Sequence, residues 1–111
     1  MSGVDAAQVE ECRRLASVWA PVLQALAHEE RLLIALWLAG SNCSVRELEQ
    51  VTGLSQSLVS YHLRELRQAG LVSATASGRS NRYSLSHRDL DQLAALIGNL
   101  ESAPETSALG P

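Results

Sequence analysis

Residues 54–72 read Leu54-Ser-Gln-Ser-Leu-Val-Ser-Tyr-His-Leu-Arg-Glu-Leu-Arg-Gln-Ala-Gly-Leu-Val72. Ser55 is a residue type that caps helix starts, and Gly70 is one that ends them. The spacing between them predicts a helix running to about Ala69. Val59, Leu63 and Leu66 fall at i, i+4 and i+7, one face of that helix, and should pack inward with Leu58 at their flank. Gln56, Ser60 and Arg64 share another face, with Ser57, Tyr61 and Arg67 beside it. That second face is polar. Its side chains carry donors and acceptors in a pattern that burial would waste.

Working upstream, Ser44-Val-Arg-Glu47 is a capping box, in which the hydroxyl takes one free amide hydrogen and the carboxylate reaches back to another. It opens a short helix that ends at Gly53, where glycine turns most easily into the left-handed region. Two capped helices joined by a tight glycine turn describe a helix-turn-helix over about 44–69. Working downstream, Val72, Ala74 and Ala76 alternate with polar positions, and Asn81 to Leu85 alternates again with Tyr83 and Leu85 on one face. Ser77-Gly78-Arg79-Ser80 lies between them. This is a small β-hairpin over about 71–85, too short to stand without a helical layer behind it.

Two helices precede the unit. Val9, Cys12, Ala16, Trp19, Leu23 and Leu26 recur at helical spacing over 5–26, with a kink or break expected at Pro21 because it lacks the amide hydrogen. His28 to Ala39 forms the second. Its run Leu32 to Ala39 is apolar all round and reads as the buried centre of the fold. A last helix over about 87–101 carries Leu90, Leu93, Leu96, Ile97 and Leu100 as a stripe. Residues 102–111 include Pro104 and Gly110 and read as a disordered tail. The expectation is one domain over 1–101, mainly α with a small β-hairpin, in the order α-α-α-α-β-β-α.

The 111 residues suit one core, and the 4% aromatic content, with no Phe, makes that core aliphatic. The longest apolar run, Leu32 to Ala39, is eight residues, whereas a membrane-spanning helix needs about 20. The first residues show no basic segment followed by an apolar one, so no signal peptide is expected. A cytoplasmic protein with two reduced thiols, Cys12 and Cys43, is expected in turn. The net charge of −3 hides a division. Residues 55–88 carry five Arg against one Glu, a local +4, between flanks of −3 and −4. A local positive field attracts phosphate even on an acidic chain.

Helix-turn-helix followed directly by a hairpin is a winged helix. The stretch 54–72 resembles the ArsR/SmtB family of bacterial transcriptional repressors, whose pattern there is Leu-Ser-Gln-x-x-Val-Ser-x-His-Leu-x-x-Leu-x-x-Ala-Gly-Leu-Val. The wing residues Gly78-Arg79 and Tyr83 are similar as well. The resemblance implies a transcription repressor that binds double-stranded DNA as a two-fold homodimer, its first and last helices forming the interface. Two recognition helices would then read an inverted repeat about 34–36 Å apart. The DNA-binding candidates are Ser55, Gln56, Ser57, Ser60, Tyr61, Arg64 and Arg67 on the helix and Arg79 and Arg82 on the wing. Gln pairs with adenine, Arg with guanine, and Ser with either or with phosphate. His62 is expected to be structural.

Many members of that family release DNA on binding a transition metal. Their Cys-x-Cys at the third helix is reduced here to Cys43-Ser44-Val45-Arg46, with one thiol. Their Asp-x-His on the last helix is reduced to Asp89-Leu90-Asp91. His87, Asp89 and Asp91 are what remains of a metal site, with Cys12 and Cys43 as the thiols; an organic effector or a partner regulator protein is the other expectation. No nucleophile elbow, phosphate loop or metalloprotease helix is present, so an enzyme is not expected. The rival from another class is a winged helix that docks on a partner regulator protein, which salt would not weaken as it weakens DNA binding.

Overall fold

The computed structural model describes residues 3–86 and, beyond them, residues 91, 92, 94, 95 and 98, which are helical and exposed. The elements are α1 (Ala6–Leu26), α2 (Glu29–Leu38), α3 (Val45–Thr52), α4 (Gln56–Gln68), β1 (Val72–Ser77) and β2 (Ser80–Leu85). This is the expected order of four helices and a hairpin. The remainder of the expected helix over 87–101 and the expected tail over 102–111 lie outside the described residues.

Local chemistry sets the helix ends. Asp5 accepts from Ala7 N at the start of α1, and His28 accepts from Glu30 N at the start of α2. Ser44 and Glu47 form the reciprocal capping box of α3, and Ser55 accepts from Leu58 N at the start of α4. Gly53 (φ 75°) and Gly70 (φ 78°) take the left-handed conformation that lets the chain leave α3 and α4. Pro21 does not break α1, which runs on for five residues beyond it. The missing amide hydrogen leaves the Ser17 carbonyl without its usual helical donor, and α1 is exposed at Ser17, where water can take that place.

The core lies where α2, α3, α4 and the base of the wing meet. Ile34 and Leu38, Leu48, then Val59, Leu63 and Leu66 are buried together with Leu71, Val72 and Leu85. The inward face of α4 is thus the predicted one, with Leu58 half-exposed at its flank. The expectation for α2 needs correction. Only Ile34, Ala35 and Leu38 are buried, while Leu32, Leu36 and Trp37 are 44%, 66% and 51% exposed. An apolar run shows that a helix can be covered on every side; here α1, α3, α4 and β2 pack against α2 and leave Leu32, Leu36 and Trp37 exposed. No residue of α1 is fully buried. Its last turns, through Val22, Ala25 and Leu26, pack on the core, whereas Val9, Val18 and Leu23 face outward.

The hairpin is antiparallel, pairing Val72 with Leu85 through to Ser77 with Ser80. Only Gly78 and Arg79 form the loop, and Gly78 supplies the positive φ (64°) needed at its first position. A contact absent from the sequence reading anchors this ribbon. Cys43, between α2 and α3, pairs with Tyr83 by two backbone bonds, Cys43 N to Tyr83 O at 3.0 Å and Tyr83 N to Cys43 O at 2.7 Å. The wing is therefore stitched to the helix-turn-helix as well as following it.

Candidate nucleic-acid interface

The helix that buries Val59, Leu63 and Leu66 must turn its polar residues the other way. Gln56, Ser57, Tyr61, Arg64 and Arg67 are exposed, Ser60 is half-buried beside them, and Ser55 is exposed at the cap. Two grooves border this face. The first, about 680 Å³, is lined by Ser44, Val45, Arg46, Glu49 and Gln56, and from the wing by Ser80, Asn81 and Tyr83. The second, about 450 Å³, is lined by Ser60, Leu63, Arg64, Arg67 and Gln68, again with Tyr83. Tyr83 therefore stands between α4 and the wing and belongs to both. The guanidinium of Arg64 lies 5.8 Å from the centre of the Tyr61 ring, a cation over an aromatic face.

The positive charges on this surface differ in their commitments. Among the described residues, Arg64, Arg67 and Arg79 take part in no ion pair or side-chain hydrogen bond, and Arg79 sits at the exposed wing tip. Arg82 is engaged inside the protein. Its Nε donates to Asn42 Oδ1 at 2.9 Å, and its Nη2 donates to Asn42 O at 2.9 Å and lies 3.2 Å from Glu47 Oε1. Glu47 in turn accepts from Ser44 N at 2.8 Å, and that bond, followed by attraction to Arg82, holds its carboxyl below the usual carboxylate range. Local sequence signals cap α3 through Glu47, but its hold on Arg82 joins positions far apart in the chain and left none.

His62 points away from this surface, as its place on α4 requires. It is buried. Its Nδ1 lies 3.4 Å from Arg31 Nη1, and a guanidinium only donates, so the imidazole is the acceptor there. Arg31 also donates through Nε to Ala25 O at 2.7 Å, which ties the end of α1 to α2 and α4. The His28 ring packs at 4.7 Å from that of His62. Burial pushes His62 below its ordinary value, the charges of His28 and Arg31 push the same way, and Glu30 and Glu65 oppose them. Because the folded protein takes up this proton less readily than the unfolded chain, the associated stability is present above about pH 6.5, the unfolded value, and is lost as pH falls below it. The denaturation midpoint should therefore fall between pH 7.5 and 5.5. A His62→Gln variant should show a flatter dependence over that interval; an equal slope in both proteins would remove His62 as the cause.

Among the described residues the candidate metal donors do not come together. Cys12 is exposed on α1, and Cys43 is buried with its thiol 3.7 Å from Ser41 O. Asp91 is exposed, and His87 and Asp89 lie outside the described residues. Among the described residues no three His, Cys, Asp or Glu side chains are grouped to hold a metal ion.

A family model described as "Bacterial regulatory protein, arsR family" matches residues 28–74, from the cap of α2 into the wing. The HTH-type transcriptional regulator YgaV of Escherichia coli is 35% identical over 82 residues, covering 73% of this chain and 83% of YgaV. The chain belongs to the ArsR family. It is accordingly a DNA-binding transcriptional regulator with a winged-helix fold, and its relatives are regulators rather than enzymes. Two ArsR-family relatives differ in the direction of regulation. The transcriptional activator HlyU of Vibrio cholerae is 37% identical over 79 residues, 71% of this chain and 73% of HlyU. The biofilm growth-associated repressor of Xylella fastidiosa is 30% identical over 99 residues, 89% of this chain and 87% of the repressor. The structure of reduced HlyU superimposes with a TM-score of 0.71 over 85% of this chain and 99% of that one, at 32% identity. The homodimeric winged helix-turn-helix DNA-binding domain of Mb0332 from Mycobacterium bovis, described as a possible ArsR-family transcriptional regulator, gives 0.66 at 29% identity, over 90% and 89% of the two chains.

Proposed function

We propose that this ArsR-family chain is a repressor that binds an inverted-repeat operator as a homodimer. The observation that carries the reading is the polar face of α4, bordered by two grooves that meet the wing at Tyr83 and furnished with Arg64, Arg67 and Arg79. Gln56, Ser60 and Arg64 are placed to meet base edges, while Ser55, Ser57, Tyr61, Arg67 and Arg79 hold the backbone. The outward face of α1, with Val9, Val18 and Leu23, is the surface for a second copy. The homodimeric Mb0332 domain supports that assembly, and the biofilm repressor supports the direction of control. A location in the cytoplasm accords with this role; among the described residues no helix is long and apolar enough to cross a membrane.

An effector modulates the repressor in this reading, and a transition-metal ion is the first class to try. Among the described residues the donor set does not fit a metal, so any such site would draw on residues beyond them, His87 and Asp89 included, or on both copies of the chain.

The test is a fluorescence-anisotropy titration of labelled upstream DNA at two salt concentrations, with and without zinc, nickel, cobalt and copper. Two chains should bind per inverted repeat, with affinity falling steeply as salt rises, and the bound protein should lower transcription in a purified reporter reaction. Binding indifferent to all four metals directs the search to organic effectors or a partner regulator protein. Absence of DNA binding would replace this reading with that of a winged helix docking on another protein.

A further inference from the structure

We infer that Arg46, and not Arg82, is the cation that grips the DNA backbone between the helix-turn-helix and the wing. The inference rests on the reading of α4 and the wing as a DNA interface, and assigns charges within it. Arg46 belongs to the acidic first half of the sequence, where charge counting gives no reason to notice it. The fold carries it elsewhere. It is the second residue of α3, it is exposed, and among the described residues its side chain makes no hydrogen bond or ion pair. It lines the groove whose other walls are Gln56, the first residue of α4, and Ser80 and Asn81 beside the wing tip. A nucleic-acid strand lying along that groove brings phosphates within the reach of a long, uncommitted guanidinium.

Arg82 is the arginine that the wing's sequence offers for this role, but its side chain is held against Asn42 and Glu47. Its guanidinium holds both polar groups of Asn42 that it can reach and the carboxylate of Glu47. Turning Nε and Nη2 outward to a phosphate would break these three contacts and leave Glu47 as an unpaired negative charge beside the incoming strand; only Nη1 is uncommitted among the described residues. Arg82 is thus a positioning residue: with the Cys43–Tyr83 pair it fixes the wing against the start of α3. Glu49, one turn after Arg46, lines the same groove and opposes the phosphate, but forms no ion pair with Arg46 among the described residues.

The two roles separate in the salt dependence of binding, because each phosphate contact contributes about 0.9 to the slope of log K against log salt on duplex DNA. Affinity of the full chain for its upstream DNA should be measured from low to moderate salt for the wild type, Arg46→Gln, Arg82→Gln and Arg82→Lys. Arg46→Gln should lower the slope by about 1 and weaken operator and scrambled duplex by the same factor. Arg82→Gln and Arg82→Lys should both weaken binding and leave the slope as in the wild type, since the lysine keeps the charge but not the paired bonds to Asn42. An unchanged slope for Arg46→Gln, or a slope lowered by about 1 in Arg82→Gln and restored in Arg82→Lys, would overturn the assignment while leaving the DNA interface standing. A wild type whose binding shows no salt dependence would remove the interface itself. Arg46 is on an exposed helix surface, so its variant should fold; equal denaturation midpoints verify this.

Discussion

Leu66→Ala should cost roughly 2–5 kcal/mol of folding stability, the range for emptying a well-packed leucine site. Leu66 is wholly buried at the centre of the α4 inward face, among Leu63, Leu71, Val59 and the buried residues of α2 and α3. Its carbonyl also accepts from Leu71 N at 2.9 Å, where the chain leaves α4 for the wing. A cavity there loosens the recognition helix and the root of the hairpin together. Small domains hold only about 5–15 kcal/mol in total, so the variant would spend much of its time unfolded on warming. Urea denaturation at one fixed chain concentration measures the effect; concentration must be held because association stabilises the folded state. Leu58→Ala is the control. Leu58 is 47% exposed on the same helix, and its loss should change stability by far less. Equal costs at the two positions would mean that the core is not where α4 buries Leu66.

Arg64→Ala should weaken binding to the operator by about 1–3 kcal/mol, or about 5- to 150-fold. The side chain lies over Tyr61, borders the groove with Ser60, Arg67 and Gln68, and forms no ion pair among the described residues, so its donors are available to a base edge. The expected pattern matters as much as the size. A base-reading arginine loses far more on the operator than on a scrambled duplex, whereas a phosphate contact loses equally on both. Because Arg64 is exposed, folding stability should be within about 0.5 kcal/mol of the wild type. Unchanged operator affinity would show that this face of α4 does not read DNA.

These expectations rest on parts of the molecule that the sequence displayed unequally. Helix ends were legible because caps are short-range chemistry: Ser44 with Glu47, Ser55, Gly53 and Gly70 all act within a turn of their own positions. The inward face of α4 was legible from the spacing of Val59, Leu63 and Leu66. Strand limits were less so. The sequence reading places the ends of the strands at Ala76 and Asn81, but a two-residue loop of Gly78 and Arg79 suffices, so Ser77 and Ser80 also pair. The α2 run showed no exposed side because hydrophobic periodicity reports which residues tolerate burial, not how many neighbours arrive. Pro21 argued for a kink or a break; the break did not follow, since one missing amide hydrogen did not end a helix whose last turns pack on the core. On the proposed interface, the exposure of Arg64 and Arg67 was legible from their helical position, and that of Arg79 from its place in the wing turn. The engagement of Arg82 with Asn42 and the arrival of Arg46 beside Gln56 were not, since both join segments whose meeting depends on the finished fold.

The stitch between Cys43 and Tyr83 has a mechanical consequence. A ribbon of two short strands alone in water would bend and twist freely. Here it behaves as a cantilever clamped part-way along its length, and the span from Tyr83 to the turn at Ser80 is three residues, or about 10 Å at ~3.4 Å per residue. So short an overhang is stiff. On the proposed DNA interface Arg79 would then have little freedom to follow differences in groove width, and the duplex would have to deform to meet it.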